Sequence, residues 1–207
     1  MTAQIPDTYT FDNKQYDFIA KNKPMGFNPR DYGLKPNASS TACWRGYWCD
    51  YVVRRRRLIL KNLLIYNADG YYPPFNGTEP SSIEFADKFD SSVNDGHVLY
   101  RVNLEMDYTG AIVIGHGFIN KYYLHGGFQR AWAFEEVKEL VFEKGNLVEV
   151  KDHSNKVKVI RGLYDEDPIK FQDDLAYDLS YDDDIPAFLR DDSRPRSNMV
   201  WPWWVIP

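Results

Sequence analysis

Between Ser39 and Leu64 the chain reads SSTACWRGYWCDYVVRRRRLILKNLL, which sets aromatics, both cysteines and four consecutive arginines in one stretch. Its spacing constrains the fold more than any other feature. Trp44, Trp48 and Val52 share one parity, and Cys43, Arg45, Tyr47, Cys49, Tyr51 and Val53 share the other. Both sets are largely apolar, as in a central strand covered on two faces. Leu58–Tyr66 reads as the return strand, which leaves Arg54–Arg57 at the turn. Residues 41–66 are therefore expected to form a β-hairpin. This feature speaks to fold class and not to function.

The same grammar recurs along the chain. Residues 8–20 predict a hairpin about Asp12-Asn13. Residues 21–40 carry Pro24, Gly26, Pro29, Gly33 and Pro36 and read as irregular cover. Residues 67–82 read as a long surface loop, unusually aromatic in Tyr71, Tyr72 and Phe75. Residues 97–106 alternate Val98, Tyr100, Val102, Leu104 and Met106, the pattern of a half-buried strand. Ala111–Ile114 and Phe118–Leu124 read as the next strand pair, broken by Gly115-His116-Gly117. Residues 131–144 fit helical or strand spacing, and Gly145-Asn146 followed by LVEVKD favours a hairpin about Lys144–Asn146. A short strand is expected from Lys156 to Ile160. With 207 residues and 16% aromatics, the expectation is a mainly β single domain. Its architecture would be one antiparallel sheet, a sandwich or an open barrel, with minor helix and an extended C-terminal arm. The division falls at residues 1–164 and 165–207.

Charge excludes one class of function. A formal net charge of −5 argues against nucleic-acid binding as the main task, because phosphate neutralisation needs a basic face. MTAQIPDTYT has neither the basic nor the apolar region of a secretory signal. Apolar runs such as Ala111–Ile114 are too short to span a bilayer, so no membrane role is expected. On one extended strand, Cys43 and Cys49 would lie roughly 20 Å apart, beyond disulfide reach. A reducing cytoplasmic location follows as the expectation.

From Asp165 to Asp192 the character changes, with eleven acidic residues against Lys170 and Arg190. Phe171, Leu175, Tyr177, Leu179 and Tyr181 are interleaved, which reads as an arm that docks its apolar residues and turns its acids outward. The chain ends in MVWPWWVIP.

Several groups are candidates for a site. Arg54–Arg57 suit phosphate or an acidic partner, or form a solvated turn. His116 and His125 are flanked by glycines and, with Arg45, form a possible ligand site. Neither histidine belongs to a metal-ligand spacing, with Asp107 or otherwise, so no metal or cofactor is expected. Cys43 or Cys49 with His116 would make a nucleophile–base pair, but both cysteines sit in an apolar strand where inert thiols are usual. Asp182-Asp183-Asp184 lack the turn glycine and alternating ligands of a calcium loop. They read as a solvated face or a lure for a basic partner. Trp201, Trp203 and Trp204, together with Tyr71 and Tyr72, are candidate contacts for a protein partner. No catalytic residue is assigned.

Ser40-Thr41-Ala42-Cys43-Trp44-Arg45-Gly46-Tyr47, followed by strand, turn and Leu58-Ile59-Leu60, resembles a bacterial family of uncharacterised β-rich proteins. That family carries an S-T-A-x-W-R-G-Y motif. Phe85-Ala86-Asp87-Lys88-Phe89 and Thr109-Gly110-Ala111-Ile112 would be its later parts, over about residues 40–150. Arg54–Arg57 at the turn and Gly115-His116-Gly117 depart from the pattern. The resemblance implies a β-rich bacterial cytoplasmic protein and no activity. The leading expectation is a non-enzymatic protein-binding module, of the kind that serves as a toxin-neutralising immunity protein. A small-molecule-binding protein or hydrolase built near His116 and His125 is the alternative, and a structural or accessory subunit is a third.

Overall fold

The computed structural model describes residues 2–82 and 96–166, which form a mainly β fold with one α-helix. The first hairpin pairs β1 (Thr8–Phe11) with β2 (Lys14–Lys21). Its turn is Asp12 and Asn13, with φ of 48° and 61°. Two successive left-handed residues twist the turn to match the strands, and Asp and Asn tolerate that region better than most. The second hairpin pairs β3 (Tyr47–Arg54) with β4 (Arg57–Tyr66). Its turn has the same geometry at Arg55 and Arg56, φ 49° and 63°, with no Asn or Gly to ease it.

The remaining strands are β5 (Ser81–Ser82), β6 (His97–Glu105), β7 (Gly110–Phe118), β8 (Phe134–Glu143) and β9 (Asn146–Asp152). Strand order is β3-β1-β2-β7-β8-β9-β4-β6-β5, and β3 also pairs with β4. The ladders are antiparallel except β1 with β3, which runs parallel from Thr8↔Asp50 to Thr10↔Val52 and makes the sheet mixed. Following the pairings from β3 through β1, β2, β7, β8, β9 and β4 returns to β3. The β9–β4 seam that completes this circuit is short. It comprises Arg57↔Asn146, Leu58 N–H to Gly145 O at 2.9 Å and Leu147 N–H to Arg56 O at 2.7 Å.

The sheet curls around the larger core, which holds Tyr9, Tyr16, Tyr51, Leu60, Tyr100, Ile112, Leu140 and Phe142. Alternate residues of β7 and β8 face outward. There Val113 and Val137 are covered by Trp132, Ala131 and the helix α1 (Ser154–Glu166), through Val157 and Ile160. The Lys156–Ile160 segment is thus helix and not strand. Asp152 caps Ser154 N–H at 2.8 Å, and Val157 and Ile160 then share a face three residues apart.

Other expectations are corrected. Gly115-His116-Gly117 lies inside β7 rather than breaking it, and 119–133 is irregular with two short 3-10 turns. A Cβ on Gly115 would stand 2.5 Å from the Phe134 ring and 2.8 Å from Ile19, so this glycine serves close packing within the strand. Residues 41–46 precede β3 as consecutive turns, closed by Cys43 N–H to Ser40 O and Gly46 N–H to Cys43 O. Trp44 therefore leaves the parity of Trp48. It is 54% exposed, whereas Trp48 is fully buried. The 131–150 ambiguity resolves as the expected hairpin, turning at Lys144 and Gly145.

Candidate binding cleft

Parallel pairing of β1 with β3 sets the starts of both strands side by side. The residues just upstream, Asp7 and Arg45, are thereby brought together from positions 38 apart in the chain. Arg45 Nη1 and Nη2 donate to Asp7 Oδ2 and Oδ1 at 3.1 and 2.9 Å, a two-pronged pair. Cys49 N–H adds a bond to Asp7 Oδ1 at 2.8 Å. Asp7 is 7% exposed. Burial alone would lower the Arg45 pKa, but the charge and hydrogen bonds of Asp7 outweigh it and raise it, so the guanidinium stays cationic.

The pair lies on a cleft of about 370 Å³. Tyr47 forms one wall, with the Arg45 guanidinium 5.0 Å from its ring centre and Phe27 meeting it edge-on at 6.5 Å. Phe27 and Asp31 come from the 21–40 segment, the expected irregular cover. A 3-10 turn at Pro29–Tyr32, capped by Asn28 and stopped by left-handed Gly33, fixes their position. Lys21, Met25 and Tyr51 complete the lining that matters. Tyr51 stacks on Tyr9 at 4.9 Å, and burial raises its pKa, which keeps it a neutral phenol. Exposed Tyr32 packs on Phe75 at 4.7 Å beside this wall. The cleft thus presents an aromatic wall, one internally neutralised ion pair and the side chains of Lys21 and Asp31. That arrangement suits binding.

A second polar network sits farther along the sheet. Glu136 on β8 accepts from Lys14 Nζ and Tyr16 Oη, each at 2.8 Å, and from Lys138 Nζ at 3.1 Å. Burial opposes its ionisation, but the hydrogen bonds from Lys14, Tyr16 and Lys138 bring its pKa down to about 2. His116 belongs here. Its Nδ1 lies 2.8 Å from Gln15 O, and its ring is 5.6 Å from that of Tyr16.

His125 sits elsewhere, its ring edge-on to Tyr123 at 5.0 Å. In its loop, the Phe128 ring centre lies 5.8 Å from the Arg45 guanidinium. Among the described residues, no contact joins Arg45, His116 and His125. Both cysteines are buried with free thiols, and burial raises the pKa of each. In the arginine run, Arg57 is tied to Glu105 and the Lys144 carbonyl, and Arg56 to the Val148 carbonyl. Tyr71 is 63% exposed, while the Tyr72 hydroxyl donates to Gly96 O at 2.6 Å. Asp182, Asp183, Asp184, Trp201, Trp203, Trp204 and the Phe85–Phe89 motif lie outside the described residues.

Among the described residues, no group of three His, Cys, Asp or Glu side chains is placed to hold a metal ion. No described helix is long and apolar enough to cross a membrane. No family model, curated protein or solved structure matches the chain.

Asp7, Lys21, Phe27, Asp31 and Tyr47 were not singled out by sequence reasoning. A buried Asp looks like a surface Asp in a sequence, and no local spacing links it to an arginine 38 residues away. The one signal was Arg45 itself, a charge placed among aromatics just ahead of an apolar strand.

Proposed function

We propose that this chain is a non-enzymatic protein-binding module, with the aromatic rim of the cleft as a preformed contact surface and the acidic 165–192 stretch as its electrostatic guide. The observation that carries this is the Asp7–Arg45 fork. It pairs two charges of the cleft with each other and sets the guanidinium 5.0 Å from the Tyr47 ring, which Phe27 meets edge-on. Aromatic side chains already packed in place bind with little ordering cost. The net charge of −5 favours a basic partner, since complementary charge speeds encounter. A toxin-neutralising role would fit such an acidic module, because nucleic-acid-degrading toxins are typically basic. A single Arg45, His116 and His125 ligand site draws no support from the geometry.

The test is capture of the tagged full chain from its native host, purification of the retained partner, and measurement of its binding rates. Asn at Asp182, Asp183 and Asp184 together should slow association about tenfold at low salt, with the effect shrinking as salt rises. Tyr32→Ala should speed dissociation by a similar factor. A chain recovered alone, or rates unchanged in both variants, would overturn the reading.

A further inference from the structure

We propose that the outer edge of β9 pairs antiparallel with the same edge of a second copy of this chain, about a two-fold axis at Val150. Beyond the short seam at Asn146 and Leu147, β8 is the only strand that pairs with β9 among the described residues. From Val148 to Asp152 every residue of β9 is exposed. Val150 stands opposite Leu140, which is fully buried, so its side chain lies on the core side of the sheet. Even so, Val150 is 42% exposed. Among the described residues no strand pairs with this edge from Val148 to Asp152, and the core face stays exposed beside it.

The charges select the occupant and the register. Glu149 and Lys151 flank Val150 on the opposite face. An antiparallel pair centred on Val150 places each Glu149 across from the other copy's Lys151, twice over by symmetry. Shifting the centre by one residue sets Glu149 against Glu149 or Lys151 against Lys151, and both arrangements repel. The centred pair also brings Val148 opposite the second copy's Asp152. Arg56 already lies at that point, donating to Val148 O at 3.2 Å, and would meet this carboxylate. Paired edges would join two curled sheets into one continuous ladder, β8–β9–β9–β8.

So short a ladder implies a weak dimer, with a Kd of about 10–500 µM. Sedimentation equilibrium of the full chain up to about 0.5 mM tests it. Glu149→Lys and Lys151→Glu should each weaken the homodimer at least tenfold. Mixing the two variants should restore association, because one strand then carries two lysines and the other two glutamates. Circular dichroism of each variant checks that the fold is kept. In the wild type, amide exchange at 148–152 should slow as concentration rises. A chain monomeric at 0.5 mM, single variants that associate like the wild type, or a mixture that stays monomeric would each overturn the proposal.

Discussion

Asp7 shows how much one residue can hold. Its carboxylate accepts both prongs of Arg45 and the Cys49 N–H, and its carbonyl accepts from Phe18 N–H. It therefore ties the start of β1 to β2, to β3 and to the turns at 41–46. Removing one partner of such a pair leaves the other charge partly buried and uncompensated. Asp7→Ala is expected to cost about 3 kcal/mol, read as a lower urea midpoint at constant slope. Arg45→Met keeps a stem against Tyr47 but strands Asp7, and should cost a comparable amount. Neither loss has a signature in the local sequence. The surroundings of Gly46 explain part of the S-T-A-x-W-R-G-Y motif physically. With φ +74° and the Asn37 carbonyl oxygen 2.0 Å from a hypothetical Cβ, only glycine fits there.

At the scale of elements, hairpins were the most legible part of the chain. Period-two patterns about Asp12-Asn13 and Lys144-Gly145 placed two of them, because turn chemistry and alternation are both local. The arginine hairpin obeys the same geometry with residues that resist it. Arg55 and Arg56 both adopt φ near +50° to +60°, a region costly for ordinary side chains. Replacing them with Asn-Gly should raise stability by about 1 kcal/mol, seen as a higher thermal midpoint. A persistent stability gain with no change in partner binding would show that the arginines are kept for neither folding nor that contact. The failures are equally physical. Gly115-His116-Gly117 looked like punctuation, yet these glycines let Phe134 and Glu135 approach β7 closely. Val157, Val159 and Ile160 looked like strand, but Val159 faces solvent while Val157 and Ile160 face Trp132 and Val137. The five residues from Lys156 to Ile160 carry too little period to separate the two.

For the whole molecule, the Glu136 network matters because it joins the β1–β2 hairpin to β8 across the sheet. The Glu136 pKa is about 2, against an ordinary value of 4.5. A carboxyl depressed in the folded state contributes stability that is present above the unfolded value and lost as pH falls through the folded one. Stability should therefore decline between about pH 5 and pH 2, by about 1–2 kcal/mol from this group. Urea midpoints across that range should fall less steeply for Glu136→Gln than for the wild type. An identical slope would assign the acid sensitivity to other carboxyls.

The sequence alone determined the mainly β class, the hairpin turns at Asp12-Asn13, Arg55-Arg56 and Lys144-Gly145, and the irregular course of 67–80 ahead of β5, because strand alternation and turn chemistry act over a few residues. Tertiary structure decided the parallel β1–β3 ladder, the circuit of pairings through β9 and β4, and the union of Asp7 with Arg45. It also left core-side Val150 of β9 42% exposed. Each of these depends on which strands become neighbours. Strand order is set by chain-wide packing, and no local window of residues records it.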